Sequence, residues 1–303
     1  MMTNVGLGEL ASARELEVPK INYRKAVEYG FLIDCLNALS LKYPTVKLGT
    51  LGLSVMGRDI PVVTLGGKKS SPGVIYIGGY RGDDVLTPAV LLRFIGDYAE
   101  SLCECRRSYS VSMPSLYEMR TIHIVPMLNP DGYVICREGV DDVPRADYLR
   151  EKNGGDDFSS WRYSARGADI SRSFSINGAF GGEFACTNDP ETSALTKYVG
   201  MASVGVFGEI KLALSLLCEG RGIKYRSRRS IAPRAKTIGR LLERMSGEEI
   251  DDGELLEGGF SEWFVSQINR PAFDFGCKGN TVEDYVSLYA TLREVLFSSP
   301  LLI

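Results

Sequence analysis

The fold of this chain is decided by the stretch GGYRGDDVLTP, residues 78–88. Residues 74–77, just before it, form a short and mostly β-branched run of the kind found in a buried strand. After it, apolar residues recur at helical spacing from Val85 to Tyr98. The stretch is therefore predicted to be a strand-to-helix loop at the carboxyl end of a central strand. Ligands bind at that edge of an open α/β sheet, which favours a functional loop over an ordinary connection.

The same loop resembles the first zinc-binding motif of the zinc carboxypeptidases, Gly-Gly-x-His-x-x-Glu at a strand-to-helix turn. Arg81 stands at the histidine position of that motif, and Asp84 stands at the glutamate position. The chemistry of the family needs two histidines and a carboxylate that hold zinc with an open position for water. A guanidinium cannot ligate zinc, so the resemblance implies the fold without the metal.

Three further segments resemble motifs of this family and occur in the family's order. They are SVMGRDI at 54–60, NPDGY at 129–133 and WRYSARGADISRSF at 161–174. The pattern near the carboxyl terminus is similar to that of bacterial carboxypeptidases acting on γ-D-glutamyl cell-wall peptides. With this pattern included, the resemblance covers roughly residues 23–297. It implies a single α/β domain with a mixed, mostly parallel sheet and helices on both faces, preceded by an arm over residues 1–22.

The resemblance also implies roles for individual side chains. Arg162 takes the position of the arginine that stabilises the oxyanion, while Ser171 and Arg172 take the positions that bind the terminal carboxylate of the substrate. Arginine suits both roles because its planar fork binds carboxylates through two hydrogen bonds. We also expect Arg81 to face this anion-binding cleft, in the emptied zinc pocket, and to pair with Asp84 or Asp274.

Two more family positions lie further along the chain. Leu217 stands where the third metal ligand would be, and a leucine accepts no metal. For the general base two alignments remain open, because counting without a gap selects Gly276 and a two-residue deletion selects Asp274. The ligand positions Arg81, Asp84 and Leu217 thus predict that no zinc or other cofactor is bound.

Composition narrows the classes of function. The chain of 303 residues has one histidine, His123, so it cannot build a two-histidine metal site. His123 lies in an alternating strand, which favours a histidine hydrogen-bonded in place. A net charge of −3 gives no reason to expect nucleic acid. No run approaches the roughly 18 apolar residues of a membrane span, and seven scattered cysteines favour reduced thiols in the cytoplasm.

Local patterns predict the connections. A helix is expected over residues 23–41, a polar connection over 101–115 and a long surface loop over 134–160. Residues 224–244 are basic and 248–257 are acidic, which is typical of solvated helix and loop faces.

Three hypotheses of function remain open on these residues. The first is a carboxypeptidase-like protein that has lost zinc and hydrolysis and binds a peptide, a small carboxylate or a protein partner. The second is an active carboxypeptidase or γ-D-glutamyl peptidase in which Asp83, Asp84 and Asp274 surround a hard cation, because oxygen ligands suit Mg²⁺ or Ca²⁺. The third is an interaction scaffold that uses the charged region 224–257.

Overall fold

The protein is represented by a computed structural model that describes residues 28–68, 70–108, 110–174, 189–203, 208–225, 232–251, 253, 255–279 and 282–303. Within these residues the strands are β1 (Val46–Leu53), β2 (Asp59–Leu65), β3 (Gly73–Ile77), β4 (Arg107–Ser108), β5 (Val111–Ser112), β6 (Thr121–Val125), β7 (Ile210–Leu217), β8 (Arg221–Lys224), β9 (Ile250–Asp251) and β10 (Ala272–Cys277). The α-helices are α1 (Tyr29–Lys42), α2 (Thr87–Cys103), α3 (Met113–Met119), α4 (Pro130–Glu138), α5 (Ala146–Asn153), α6 (Pro190–Ser203), α7 (Ala232–Ser246), α8 (Phe260–Ile268) and α9 (Val282–Ser298).

Eight strands form one mixed sheet in the order β1-β2-β6-β3-β7-β10-β8-β9. Its centre, β6-β3-β7-β10, is parallel, while β1 and β2 are antiparallel to their neighbours and β8 is antiparallel to β10. The central strand β3 is buried along its whole length, as its β-branched sequence predicts. Parallel strands end at one common edge, so the loops after β3, β6, β7 and β10 meet there.

Helices cover both faces of the sheet, which confirms the predicted architecture. On one face, Val74 and Tyr76 of β3 belong to a core that includes side chains of α1, α2, α7 and α9. On the other face, Ile75 and Ile77 pack in a second core with side chains of α6 and α8. The alternation follows from the two-residue period of a strand. No helix within the described residues is both long enough and apolar enough to cross a membrane.

The predicted loop over residues 134–160 is wrong. Residues 134–138 and 146–153 of this segment lie in α4 and α5, which pack with Trp161 in a third, smaller core. Asn129 caps α4 by accepting a hydrogen bond from the backbone N–H of Gly132. Short helices carry little periodic signal, and here tertiary packing around a buried tryptophan stabilises them.

One other connection also differs from the prediction. The segment 101–115 contains the end of α2, the short β4-β5 hairpin and the start of α3 rather than a featureless polar connection. Helix α1 begins at Tyr29, and the earlier part of the predicted first helix falls mostly at residues 23–27, outside the described residues, as does the arm at 1–22.

Candidate functional site at the carboxyl edge of the sheet

Backbone and side-chain hydrogen bonds lock the loop 78–84 to the loop that follows β6. The backbone N–H of Leu128 donates to the carbonyl of Gly78, and that of Asn129 donates to Gly79. The side-chain amide of Asn129 adds a hydrogen bond of 3.0 Å to the carbonyl of Tyr80. These contacts hold Arg81, at the tip of the loop, against the carboxyl end of β7.

Arg81 pairs with different carboxylates from those we predicted. Its Nε and Nη2 donate to the two oxygens of Asp83 at 2.8 and 2.5 Å, and its Nη1 donates to Glu219 at 3.1 Å. The guanidinium side chain is 16% exposed. Asp83 lies two residues further along the chain, and Glu219 follows β7. The guanidinium of Arg81 contacts these two carboxylates instead of Asp84 or Asp274. The expected pairing with Asp84 or Asp274 is therefore wrong.

Asp84 is bound to the start of α2 instead of facing the cleft. One carboxylate oxygen accepts the backbone N–H of Thr87 at 3.0 Å, and the other accepts its hydroxyl at 2.5 Å. The Thr87 hydroxyl oxygen accepts the backbone N–H of Gly79 in turn, which ties the loop to the helix. Burial raises the pKa of Asp84 to about 6, although the hydrogen bonds from Thr87 oppose this shift.

The other arginines predicted from the sequence join Arg81 through shared carboxylates. Glu219 also lies 3.9 Å from Nη2 of Arg172, and Nε of Arg172 lies 3.9 Å from Asp169. Asp169 accepts Nη2 of Arg162 at 3.0 Å. We call this alternating series, Arg81, Glu219, Arg172, Asp169 and Arg162, the arginine–carboxylate chain. It brings together the three arginines that sequence reasoning selected.

Ser171 does not contribute its hydroxyl to an open cleft. The side chain is buried, and Oγ donates to Asp169 at 2.5 Å. The same carboxylate oxygen accepts the backbone N–H of Ser171 at 3.1 Å. Ser171 therefore orients Asp169, and through it Arg162 and Arg172.

Beside the arginine–carboxylate chain lies a cavity of about 540 Å³, here called the edge cavity. Arg172, Leu217 and Asp274 are among the residues in its wall. Gly276 also lines it, so the two alternatives for the general-base position open onto the same space. Burial raises the pKa of Asp274 to about 6, while hydrogen bonds from Ser261 and the backbone of Leu256 oppose the rise. The remaining described lining residues are Glu219, Gly220, Arg221, Gly222, Lys224, Leu255, Leu256 and Glu257.

This geometry can be compared with known proteins. The family model for zinc carboxypeptidases matches residues 32–217, which is more than half of the chain. The chain belongs to the zinc carboxypeptidase family. The matched range includes the loop 78–88, every member of the arginine–carboxylate chain except Glu219, and Leu217.

Individual relatives are similar to this chain at low identity. The γ-D-glutamyl-L-diamino acid endopeptidase 1 of Lysinibacillus sphaericus is 24% identical over 84% of this chain and 66% of its own length. The carboxypeptidase N catalytic chain of Rattus norvegicus is 29% identical over 48% of this chain and 30% of its own. The crystal structure of carboxypeptidase A from Helicoverpa armigera superposes with a TM-score of 0.68 and 18% identity, over 98% of this chain and 78% of that one, and shows the shared fold. The chain thus spans less than two thirds of the length of these curated relatives.

The residues at the family's metal positions do not fit zinc. Arg81 offers only N–H donors, Leu217 offers no donor atom, and both oxygens of Asp84 accept hydrogen bonds from Thr87. Across the part of the chain that the structure describes, no group of three or more His, Cys, Asp or Glu side chains is arranged to hold a metal ion. The alternative site for a hard cation does not fit Asp83 either, because both oxygens of Asp83 already accept hydrogen bonds from Arg81.

Sequence reasoning missed the carboxylates that connect the arginines. Glu219 and Asp169 were not selected, although each contacts two arginines of the chain. Glu219 could have been found from its position two residues after the end of β7, at the same sheet edge as Arg81. Asp169 lies in the family-like segment 161–174, but its contacts depend on the local turn around Ser171.

Proposed function

We propose that this protein is a zinc carboxypeptidase-like protein that has lost zinc and hydrolytic activity and binds the free carboxylate of a peptide or small molecule in the edge cavity. The observation that carries the proposal is the pairing of Arg81. Its permanent positive charge lies at the edge of the sheet where the family binds zinc. Asp83 and Glu219 balance this charge.

Electrostatics oppose a divalent cation at this edge. A guanidinium does not lose its proton in proteins, so a cation entering near Arg81 would meet a fixed like charge. At about 4 Å even two single charges repel by roughly 4 kcal/mol at an effective dielectric of 20. Two of the three carboxylates considered for a hard cation are already hydrogen-bonded, Asp83 to Arg81 and Asp84 to Thr87.

Arg172 is the side chain that we assign to the ligand's carboxylate. It lines the edge cavity, and its side chain is 40% exposed. Its contacts to Asp169 and Glu219 are both 3.9 Å, which is within ion-pair range and longer than a hydrogen bond. Its N–H donors can therefore turn to an incoming carboxylate while the two carboxylates hold the guanidinium in place. Arg221 and Lys224 add positive charge to the same cavity.

The proposal also includes a cytoplasmic location. The bound carboxylate can belong to a protein partner whose carboxyl terminus enters the edge cavity. The reduced state expected of the cysteines supports the location. No disulfide joins the six cysteines among the described residues, and the seventh, Cys186, lies outside them.

The purified protein is expected to carry no stoichiometric zinc, because Arg81 and Leu217 supply no ligand. Elemental analysis after dialysis first against zinc-containing and then against zinc-free buffer measures the bound zinc directly. About one zinc per chain, removable by a chelator and accompanied by hydrolysis of C-terminal or γ-D-glutamyl peptides, would overturn the proposed loss of metal and activity.

Arg172→Gln is expected to weaken the binding of a peptide with a free carboxyl terminus by about 1.5–3 kcal/mol, the scale of a hydrogen bond between charged groups. Calorimetric titration with a free-acid peptide and with its C-terminal amide gives the comparison. The amide should bind both proteins equally weakly. Arg234→Gln, on the exposed face of α7, serves as the charge-matched control and should bind like the unmodified protein. Equal binding of acid and amide would refute the assignment.

A further inference from the structure

A second cavity, of about 380 Å³, lies away from the carboxyl edge of the sheet, between β1, β2 and β6 and the helix α6. We call it the lateral cavity. A volume of this size is within the roughly 300–1,000 Å³ of small-molecule sites. Thr121, at the start of β6, lines it. The carboxyl end of β6 at Val125 lies four residues further, or about 13 Å at 3.3 Å per residue.

The strand register places three polar side chains in one row along its floor. Lys47 of β1 is opposite Thr64 of β2, and Thr64 is opposite His123 of β6. Residues that are opposite each other in neighbouring strands project from the same face of the sheet. All three line the cavity, so a single row leads from a cationic rim at Lys47 to a buried ring at His123.

The two ends of this row are held in position. Nζ of Lys47 donates to the carbonyl of Gly66 at 2.9 Å, which fixes the ammonium at the rim. An ammonium has three donors, so two remain for a ligand. At the other end, Nδ1 of His123 and the hydroxyl of Tyr198, from α6, form a hydrogen bond of 2.8 Å. This contact confirms the prediction of a strand histidine that is hydrogen-bonded in place.

The charge of the lateral cavity has one sign. Its eleven described lining residues include two lysines, Lys47 and Lys68, and no acidic residue. The whole chain has a net charge of −3, so the lining of the lateral cavity is positive in a chain that is negative overall. Leu48, Val62 and the ring of Tyr198 provide apolar wall, and three threonines provide hydroxyl groups. Burial lowers the pKa of His123 to about 4, so the ring on the floor is neutral at neutral pH.

We propose that the lateral cavity is a second binding site, for a small organic anion with an apolar body, such as a short-chain carboxylate. The carboxylate lies at the rim, where Lys47 and Lys68 donate to it, and the apolar body extends along Val62 and Tyr198 towards His123. This inference is independent of the proposed function, since none of the residues involved lines the edge cavity.

Because the chain has a single histidine, a histidine signal reports only on the lateral cavity. Protein labelled with ¹³C only in histidine has one ring signal, from His123, and its NMR shift reports on the floor of the lateral cavity. Hexanoate is expected to move this signal in a saturable way. Hexan-1-ol and hexylammonium, which keep the apolar body but replace the anion, should leave it in place at the same concentrations.

Variants separate this site from the edge cavity. The double variant Lys47→Met and Lys68→Met should weaken hexanoate binding about tenfold or more, because it removes both charged donors. Lys236→Met, on the exposed face of α7, removes one charge elsewhere and should bind as before. Arg172→Gln should also leave the His123 response unchanged, even where it abolishes peptide binding at the edge cavity.

Three outcomes would overturn the inference. They are a His123 signal that hexanoate does not move, a double lysine variant that binds hexanoate normally, and a response that disappears in Arg172→Gln. An equal response to hexan-1-ol would also refute the anion specificity. The unliganded His123 signal of each variant shows whether the cavity has kept its structure.

Discussion

Gly82→Ala is expected to lose about 3 kcal/mol or more of unfolding free energy, at the upper end of the range for overpacking. A Cβ at Gly82 would lie 2.3 Å from the carbonyl oxygen of Gly132 and 2.5 Å from that of Trp161. Both atoms belong to the backbone, so no side-chain rotation relieves the contact. The loop that carries Arg81 can pass between these segments only because residue 82 has no side chain. Urea unfolding of the two proteins measures the loss.

Gly200→Ala is the matched control for this experiment. Gly200 lies inside helix α6, and a Cβ there would meet no atom within 4 Å. Alanine should therefore stabilise the helix by about 0.5–1 kcal/mol. If Gly82→Ala loses less than about 1 kcal/mol, the close approach of the three backbone segments is not rigid and the packing argument fails.

Asp131→Ala is expected to destabilise the fold by about 3–5 kcal/mol, because it leaves a charged partner without its counterion. Asp131 is fully buried and accepts hydrogen bonds of 2.8 Å from the hydroxyl of Ser54, the backbone N–H of Met56 and Nη1 of Arg58. It thus ties the turn between β1 and β2 to the first turn of α4. Thermal and urea unfolding should both show the loss.

An exposed ion pair provides the comparison for Asp131. The carboxylate of Asp147 is fully exposed and lies 3.4 Å from Arg150. Asp147→Ala should leave the unfolding free energy nearly unchanged, as is usual for an exposed surface pair. Similar effects of the two substitutions would mean that burial of Asp131 does not determine its contribution.

The hydrophobic patterns were sufficient to predict the central strand β3 and the helix that follows it. The run at 74–77 was predicted as a buried strand and forms β3, and the helix after residue 84 forms α2. These elements are long enough, or apolar enough, for their period to be read locally. The helices α4 and α5 were missed because their short sequences acquire a buried face only when Trp161, further along the chain, packs against them.

Some properties of the site follow from residue identity alone. One histidine excludes a two-histidine metal site, and Arg81 places a permanent charge in the loop that family members use for zinc. A leucine at 217 supplies no ligand in any fold. Such conclusions need no coordinates, since they depend on which atoms a side chain contains.

The partners of those side chains depend on the tertiary structure. Arg81 and Glu219 are 138 residues apart in sequence, and they meet because β3 and β7 are adjacent parallel strands that end at the same edge. The register of β1, β2 and β6 likewise aligns Lys47, Thr64 and His123 in one row. A sequence limits which groups can pair, but long-range contacts depend on distances that only the folded chain defines.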